Sequence, residues 1–135
     1  MVRLTLTAVT LALLVTVALA PQARAEDMTD EYLAMWDTDH DGTLDLAEAN
    51  KVAAAKFAKL DVDHDGSLTK KELGNLGVTT AEFDAADTDH EGTLDVAEYQ
   101  SIVAERFHAA DKDNDGTLTL KELITPVGRH LQRLL

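Results

Sequence analysis

The chain has 135 residues, 25 of them acidic and 12 basic, for a formal net charge of −13 at neutral pH. That excess of negative charge argues against nucleic acid or an anionic membrane surface as a partner and points toward cations. No cysteine is present, which excludes disulfides, thiol nucleophiles and thiolate metal sites.

In chain order, the first element reads as a leader. Arg3 gives a short basic start and Leu4–Ala20 is a nearly continuous apolar run. Ala23-Arg24-Ala25 then forms a small-x-small cleavage pattern ahead of Glu26-Asp27. A membrane anchor is the alternative, because the apolar run lies near the lower length limit of a membrane span. The expectation is a signal peptide at residues 1–25 and a single domain at residues 26–135, released into the periplasm with no membrane segment left after cleavage. Cleavage removes two basic residues and no acids, so 10 basic residues face 25 acidic ones and the charge becomes −15.

A short helix is expected over Asp30–Trp36, contributing Tyr32, Leu33, Met35 and Trp36. It enters the first of four loops: Asp37–Glu48 (DTDHDGTLDLAE), Asp61–Glu72 (DVDHDGSLTKKE), Asp87–Glu98 (DTDHEGTLDVAE) and Asp111–Glu122 (DKDNDGTLTLKE). Each carries acids at positions 1, 3, 5 and 12, Gly at 6 and Leu at 8. Oxygen ligands at alternate positions, a glycine for the sharp turn and a closing glutamate are the EF-hand spacing, which wraps a hard cation. The expected ligands in loop 1 are Asp37, Asp39, Asp41, Thr43 through its carbonyl, Asp45 and Glu48. In loop 2 they are Asp61, Asp63, Asp65, Ser67, Thr69 and Glu72. Loop 3 offers Asp87, Asp89, Glu91, Thr93, Asp95 and Glu98, and loop 4 offers Asp111, Asp113, Asp115, Thr117, Thr119 and Glu122. Without cations these carboxylates repel one another, so metal binding and folding should be coupled.

Only 12 residues separate loop 1 from loop 2, and loop 3 from loop 4. That is too short for two helices and a turn. Leu46–Leu60 reads as one helix, with Leu46, Asn50, Ala53, Phe57 and Leu60 at three-to-four spacing. Val96–Ala110 repeats it with Tyr99, Val103, Phe107 and Ala110 or, one position over, Ile102 and Arg106. At 1.5 Å per residue the separation is about 18 Å, so loops 1 and 2 sit at opposite ends of a shared helix. In the middle, Gly74-Asn75-Leu76-Gly77 breaks the chain and Thr79-x-x-Glu82 reads as a capping box before a short helix at Ala81–Ala86. This link should fold loop 2 beside loop 3 and leave loop 1 to meet loop 4, with Leu44, Leu68, Leu94 and Leu118 supplying the contacts between loops. Thr125-Pro126 opens a last helix with Val127, Leu131, Leu134 and Leu135. Arg129 and Arg133 there rest either on the acidic body or in solvent. The fold class is therefore all-α: a compact EF-hand protein of short helices and four metal loops, adjacent loops in each half sharing a single helix. Tyr32, Trp36, Phe57, Phe83, Tyr99 and Phe107 are expected in its core, or partly on a partner surface if the helices open.

The loops are of two kinds. Asp45 and Asp95 at position 9 give loops 1 and 3 five carboxylates each, whereas Thr69 and Thr119 leave loops 2 and 4 with four. With Lys70, Lys71, Lys112 and Lys121 counted, the formal loop charges are −5, −2, −5 and −2. Loops 1 and 3 should therefore gain most from a trivalent ion. Glu91 at position 5 of loop 3 has a longer arm than the aspartates, and it either adds a second oxygen or crowds the ion. His40, His64 and His90 recur at position 4, which points out of such a loop; they read as surface residues, with a Zn or Cu site as the alternative.

Taken together, the four loops, the 12-residue separations, the middle turn and the ending KELITPVGRHLQRLL (Lys121–Leu135) resemble the lanmodulins, periplasmic four-EF-hand lanthanide-binding proteins. The resemblance implies a three-helix-bundle EF fold that orders on metal binding. It also implies selective uptake, buffering or delivery of light lanthanide(III) ions (La, Ce, Nd), up to four per chain, with no catalysis. The chain departs from that family in having Thr38, Val62, Thr88 and Lys112 at loop position 2, where proline is usual. It departs again in having Thr69 and Thr119 at position 9 in place of an acid. The competing function is an exported Ca²⁺ buffer or sensor that modulates a periplasmic protein partner. An enzyme is not expected, because the carboxylates are committed to ions and no nucleophile–base pair is visible.

Overall fold

The computed structural model describes residues 30–135. The expected leader, its cleavage site and residues 26–29 lie outside the described residues. Residues 30–36 form α1, followed by β1 (Leu44–Asp45), α2 (Leu46–Leu60), α3 (Lys70–Leu73), α4 (Thr80–Ala86), α5 (Val96–Ala110), β2 (Thr117–Leu118), α6 (Leu120–Leu123) and α7 (Pro126–Gln132). The described residues are all-α apart from these two-residue strands, and the two long helices have the boundaries expected from their periodicity. No described helix is long and apolar enough to cross a membrane.

Helix starts follow from local chemistry. The Asp45 side chain accepts the Glu48 N–H at 2.7 Å, and the Asp45 N–H donates to Glu48 Oε2 at 3.1 Å. The same reciprocal box opens α3 at Thr69 and Glu72, α4 at Thr79 and Glu82, and α5 at Asp95 and Glu98. Each satisfies two backbone N–H groups that the helix itself leaves open, worth about 1 kcal/mol per cap. Helix α7 opens with Thr125 as its N-cap and Pro126 in its first turn, as expected. Helices α2 and α5 end where the next loop begins: the Asp61 and Asp111 N–H groups close the last turns on Phe57 and Phe107, both at 2.9 Å.

The core forms around α5, which packs on α2, α4 and α7. These contacts bury both candidate faces of α5 at once: Tyr99, Val103, Phe107 and Ala110 together with Ile102 and Arg106. Helix α2 needs only one face, and Ala49 and Ala53 let α5 approach closely. The Tyr99 ring meets Phe57 edge-on at 5.8 Å, and its hydroxyl donates to the Leu134 carbonyl at 2.9 Å. Burial raises the phenol's pKa well above its ordinary value, so it stays a donor. Five of the six expected core aromatics are buried. Tyr32 is not: it is 41% exposed and stacks on Trp36 at 5.6 Å, because α1 is too short to bury more than the stripe holding Leu33 and Trp36.

The loops pair as the connection lengths require. Strand β1 lies antiparallel to β2 with Leu44 opposite Leu118, joining loops 1 and 4. Leu68 and Leu94 exchange N–H···O bonds of 2.7 and 2.9 Å, joining loops 2 and 3. All four leucines are fully buried, each contributing about 1.5–3 kcal/mol from apolar burial. The pairing places each −5 loop beside a −2 loop, which keeps the two most charged loops apart.

Candidate metal centre

Each loop brings three carboxylates together. Asp37, Asp39 and Glu48 each place one oxygen within 4.8 Å of the others, as do Asp61, Asp63 and Glu72; Asp87, Asp89 and Glu98; and Asp111, Asp113 and Glu122. Positions 1, 3 and 12 of the expected ligand set thus converge in all four loops. Position 1 is buried in every case, at 5–7% exposure, so its charge needs fixed partners. Asp37 accepts the Asp41 and Gly42 N–H groups at 3.2 and 2.9 Å, and Asp61 and Asp87 repeat this. The glycine at position 6 makes this possible: φ is 82–89° in all four loops, and a Cβ there would meet nothing, so conformation and not space demands glycine.

Loop 4 differs in one atom. Asp111 Oδ2 accepts the Gly116 N–H at 3.0 Å, but Oδ1 is buried without any partner. An unpaired buried carboxylate oxygen facing two more carboxylates fits a cation, which supplies the missing interaction.

The remaining expected ligands are held otherwise. At position 5, Asp41, Asp65 and Asp115 accept both the N–H and the hydroxyl of position 7, from Thr43, Ser67 and Thr117, at 2.6–2.9 Å. Glu91 has no such bond to Thr93 among the described residues, which leaves its longer arm free. Position 9 serves the following helix: Asp45, Asp95 and Thr69 are N-cap acceptors, and Thr69 and Thr119 also donate their hydroxyls to Glu72 and Glu122 at 2.8 Å. In this geometry the position-9 threonines hold the closing glutamate. The pattern Asp/Thr-x-x-Glu ending every loop is itself a capping-box signature, the one signal in the sequence that reveals this role.

Several loop carboxyls depart from their ordinary range. Burial raises the Asp37 and Glu98 carboxyls, but N–H groups from Gly42 and from Asp95 and Thr88 respectively outweigh it and hold both below the ordinary range. Glu72 is lowered by the Thr69 N–H and hydroxyl, and Glu122 is lowered against its burial by the same groups of Thr119. Asp39 and Asp113 go the other way. Asp39 is lowered by the Asp41 N–H, yet desolvation, the Asp41 charge, a side-chain hydrogen bond with Asp37 and the Glu48 charge raise it overall; Asp113 is raised by desolvation and by Asp115. Desolvation and like charge thus gather on Asp39 and Asp113, where a bound cation would relieve them.

The histidines belong to no such group. His40, His64 and His90 are exposed, with φ of 59–61°, a left-handed conformation that Asn114 shares in loop 4. Arg129 and Arg133 are exposed and take part in neither ion pair found among the described residues, Lys70–Asp84 and Arg106–Glu82. Sequence reasoning missed two site residues. Thr38 and Thr88 at position 2 each donate an N–H and a hydroxyl to the closing glutamate of their loop.

No curated protein matches the chain. The family model described as EF hand matches residues 54–77, 80–104 and 102–127, more than half of the chain and including loops 2, 3 and 4. Loop 1 lies outside those matches but has the same convergent carboxylates as the others. With its four acidic loops and helical scaffold, the chain belongs to the EF-hand family and is a metal-binding protein.

Proposed function

We propose that this protein is a periplasmic carrier or buffer that binds trivalent lanthanide ions in preference to Ca²⁺, and that cation binding drives its folding. The observation that carries the reading is the makeup of loops 1 and 3. Each has five carboxylates, and the closing one, Glu48 or Glu98, is held by three donors. A loop charge of −5 gains more from a +3 ion than from a +2 ion, while one divalent ion already balances a −2 loop. The lanmodulin-like spacing supports the same reading. Here the cation is cargo and the loops catalyse nothing; the ligand oxygens bind, and the apolar core records occupancy as helix order.

The calcium reading has its own support in loops 2 and 4, whose four carboxylates and position-9 threonines resemble general Ca²⁺ loops. Circular dichroism of residues 26–135 during ion-buffered titrations with La³⁺ and with Ca²⁺ separates the two. Helix formation at picomolar-to-nanomolar free La³⁺, with Ca²⁺ needed at far higher levels, is expected. Matching responses at micromolar levels of either ion would make it a calcium buffer or sensor. Replacing Asp45 or Asp95 with Thr should weaken La³⁺ binding more than Ca²⁺ binding.

A further inference from the structure

Every closing glutamate in this protein receives one side-chain hydroxyl, and it comes from one of two places. In loops 1 and 3 the donors are Thr38 Oγ1 and Thr88 Oγ1, at 3.1 and 3.0 Å from Oε1 of Glu48 and Glu98. Their own N–H groups reach the same oxygen at 2.6 and 2.9 Å. In loops 2 and 4 the donors are Thr69 Oγ1 and Thr119 Oγ1, both 2.8 Å from Oε2 of Glu72 and Glu122. Position 2 there is Val62 or Lys112, which contributes only its N–H, at 3.4 and 3.0 Å. A loop has its hydroxyl at position 2 or at position 9, never at both and never at neither.

The exclusivity has a physical cause. Position 9 can offer a hydroxyl to steady the glutamate or a fifth carboxylate to the loop, but one side chain cannot do both. The side chain of an aspartate at 9 donates nothing to Glu48, which receives only its N–H, and it adds a like charge beside the glutamate. We propose that Thr38 and Thr88 are positioning residues that hold the closing glutamate from the opposite side, and so allow loops 1 and 3 to carry a fifth carboxylate at Asp45 and Asp95. Cation selectivity is then set by a pair of positions, 2 and 9, acting together. Donors to a carboxylate are the stronger kind of hydrogen bond, and a ligand already held in place loses less freedom when the cation arrives. Three donors also leave acceptor capacity on a carboxylate that has roughly four such sites. The inference rests on the cation-binding reading of the loops, whichever cation they prefer.

Trp36 is the only tryptophan and directly precedes loop 1, so Tb³⁺ luminescence excited through it reports that loop in the intact protein. Thr38→Val keeps the shape and the N–H but removes the hydroxyl. It should raise the Tb³⁺ concentration needed at loop 1 about tenfold, while Thr38→Ser should bind as the wild type does. Equal or tighter binding by the valine variant, or failure of serine to rescue, overturns the proposal. Loop 2 gives an independent test by La³⁺ calorimetry on Thr69→Asp and on Val62→Thr/Thr69→Asp. The double variant should bind several-fold tighter at that loop than the single one, and an equal gain from Thr69→Asp alone overturns the coupling. Wild-type protein that binds no Tb³⁺ at all removes both this proposal and the metal-binding reading. Wild-type binding that ignores Thr38→Val removes this proposal alone.

Discussion

Helices α2 and α5 have the same length, open with the same Asp-x-x-Glu box and occupy matching places in the two halves of the chain, yet they are not equivalent supports. Helix α2 buries four residues and α5 seven, because α5 alone has neighbours on three sides. The difference is greatest at one matched pair. Arg106 on α5 is buried and reaches three segments. Its Nε and Nη2 meet the two Glu82 oxygens at 3.0 and 3.2 Å, Nη1 meets the His130 carbonyl at 2.7 Å, and Nη2 meets the Gly77 carbonyl at 2.7 Å. Its counterpart Lys56 on α2 is half-exposed and lines an open groove beside Met35 and Trp36. Similar metal loops are thus carried on unequal scaffolds. The second half ties the middle turn to the C-terminal helix, and the first half leans on it.

The largest expected effect follows from that pair. Arg106→Ala should destabilise the cation-saturated protein by about 3–5 kcal/mol, since it strands the Glu82 charge and two carbonyls. Lys56→Ala should stay within about 0.5 kcal/mol. Urea denaturation of both variants checks this, and equal losses would erase the proposed asymmetry. The pH dependence comes next. Partial burial raises Glu82, but the Arg106 guanidinium and the Thr79 N–H and hydroxyl outweigh it and bring it to about 2. The folded value lies below the unfolded one, so this stabilisation is complete above the unfolded value of 4.5 and is lost as pH falls through about 2. At about 1.4 kcal/mol per pKa unit it reaches roughly 3 kcal/mol. The stability gap between wild type and Glu82→Gln should be level above pH ~5 and shrink below it; a gap that ignores pH would break the assignment.

Two smaller effects sharpen the comparison at the C-terminal end. A Cβ on Gly128 would fall 2.2 Å from the Glu122 carbonyl oxygen and 2.5 Å from that of Leu123, both backbone. Gly128→Ala should therefore cost about 1–3 kcal/mol by pushing α7 off α6, as thermal unfolding would show. Tyr99→Phe removes the bond to the Leu134 carbonyl at the position where α2 has only Ala49. A loss of about 1 kcal/mol in denaturation is expected, and the metal loops should be unaffected.

Much of this molecule was legible without coordinates, for a definite reason. The convergence of carboxylates at positions 1, 3 and 12, the bounds of α2 and α5, the Thr79–Glu82 box and the Thr125-Pro126 start depend on residues a few positions apart, where spacing is geometry. Even the pairing of loop 1 with loop 4 followed from length, because a straight helix of known rise keeps loops 1 and 2 apart. The contacts that escaped were of another kind. Thr38 and Glu48 are ten positions apart, Arg106 and Glu82 are 24, and Tyr99 and Leu134 are 35. The exposure of Tyr32 likewise depends on how little of α1 meets the core. By itself the sequence determined the four acidic loops, their two kinds and the helices that carry them, because those are local consequences of charge, capping and period. Only the tertiary structure decided which hydroxyl steadies each closing glutamate and which half holds the fold together, because both depend on groups that meet only after the chain has folded back on itself.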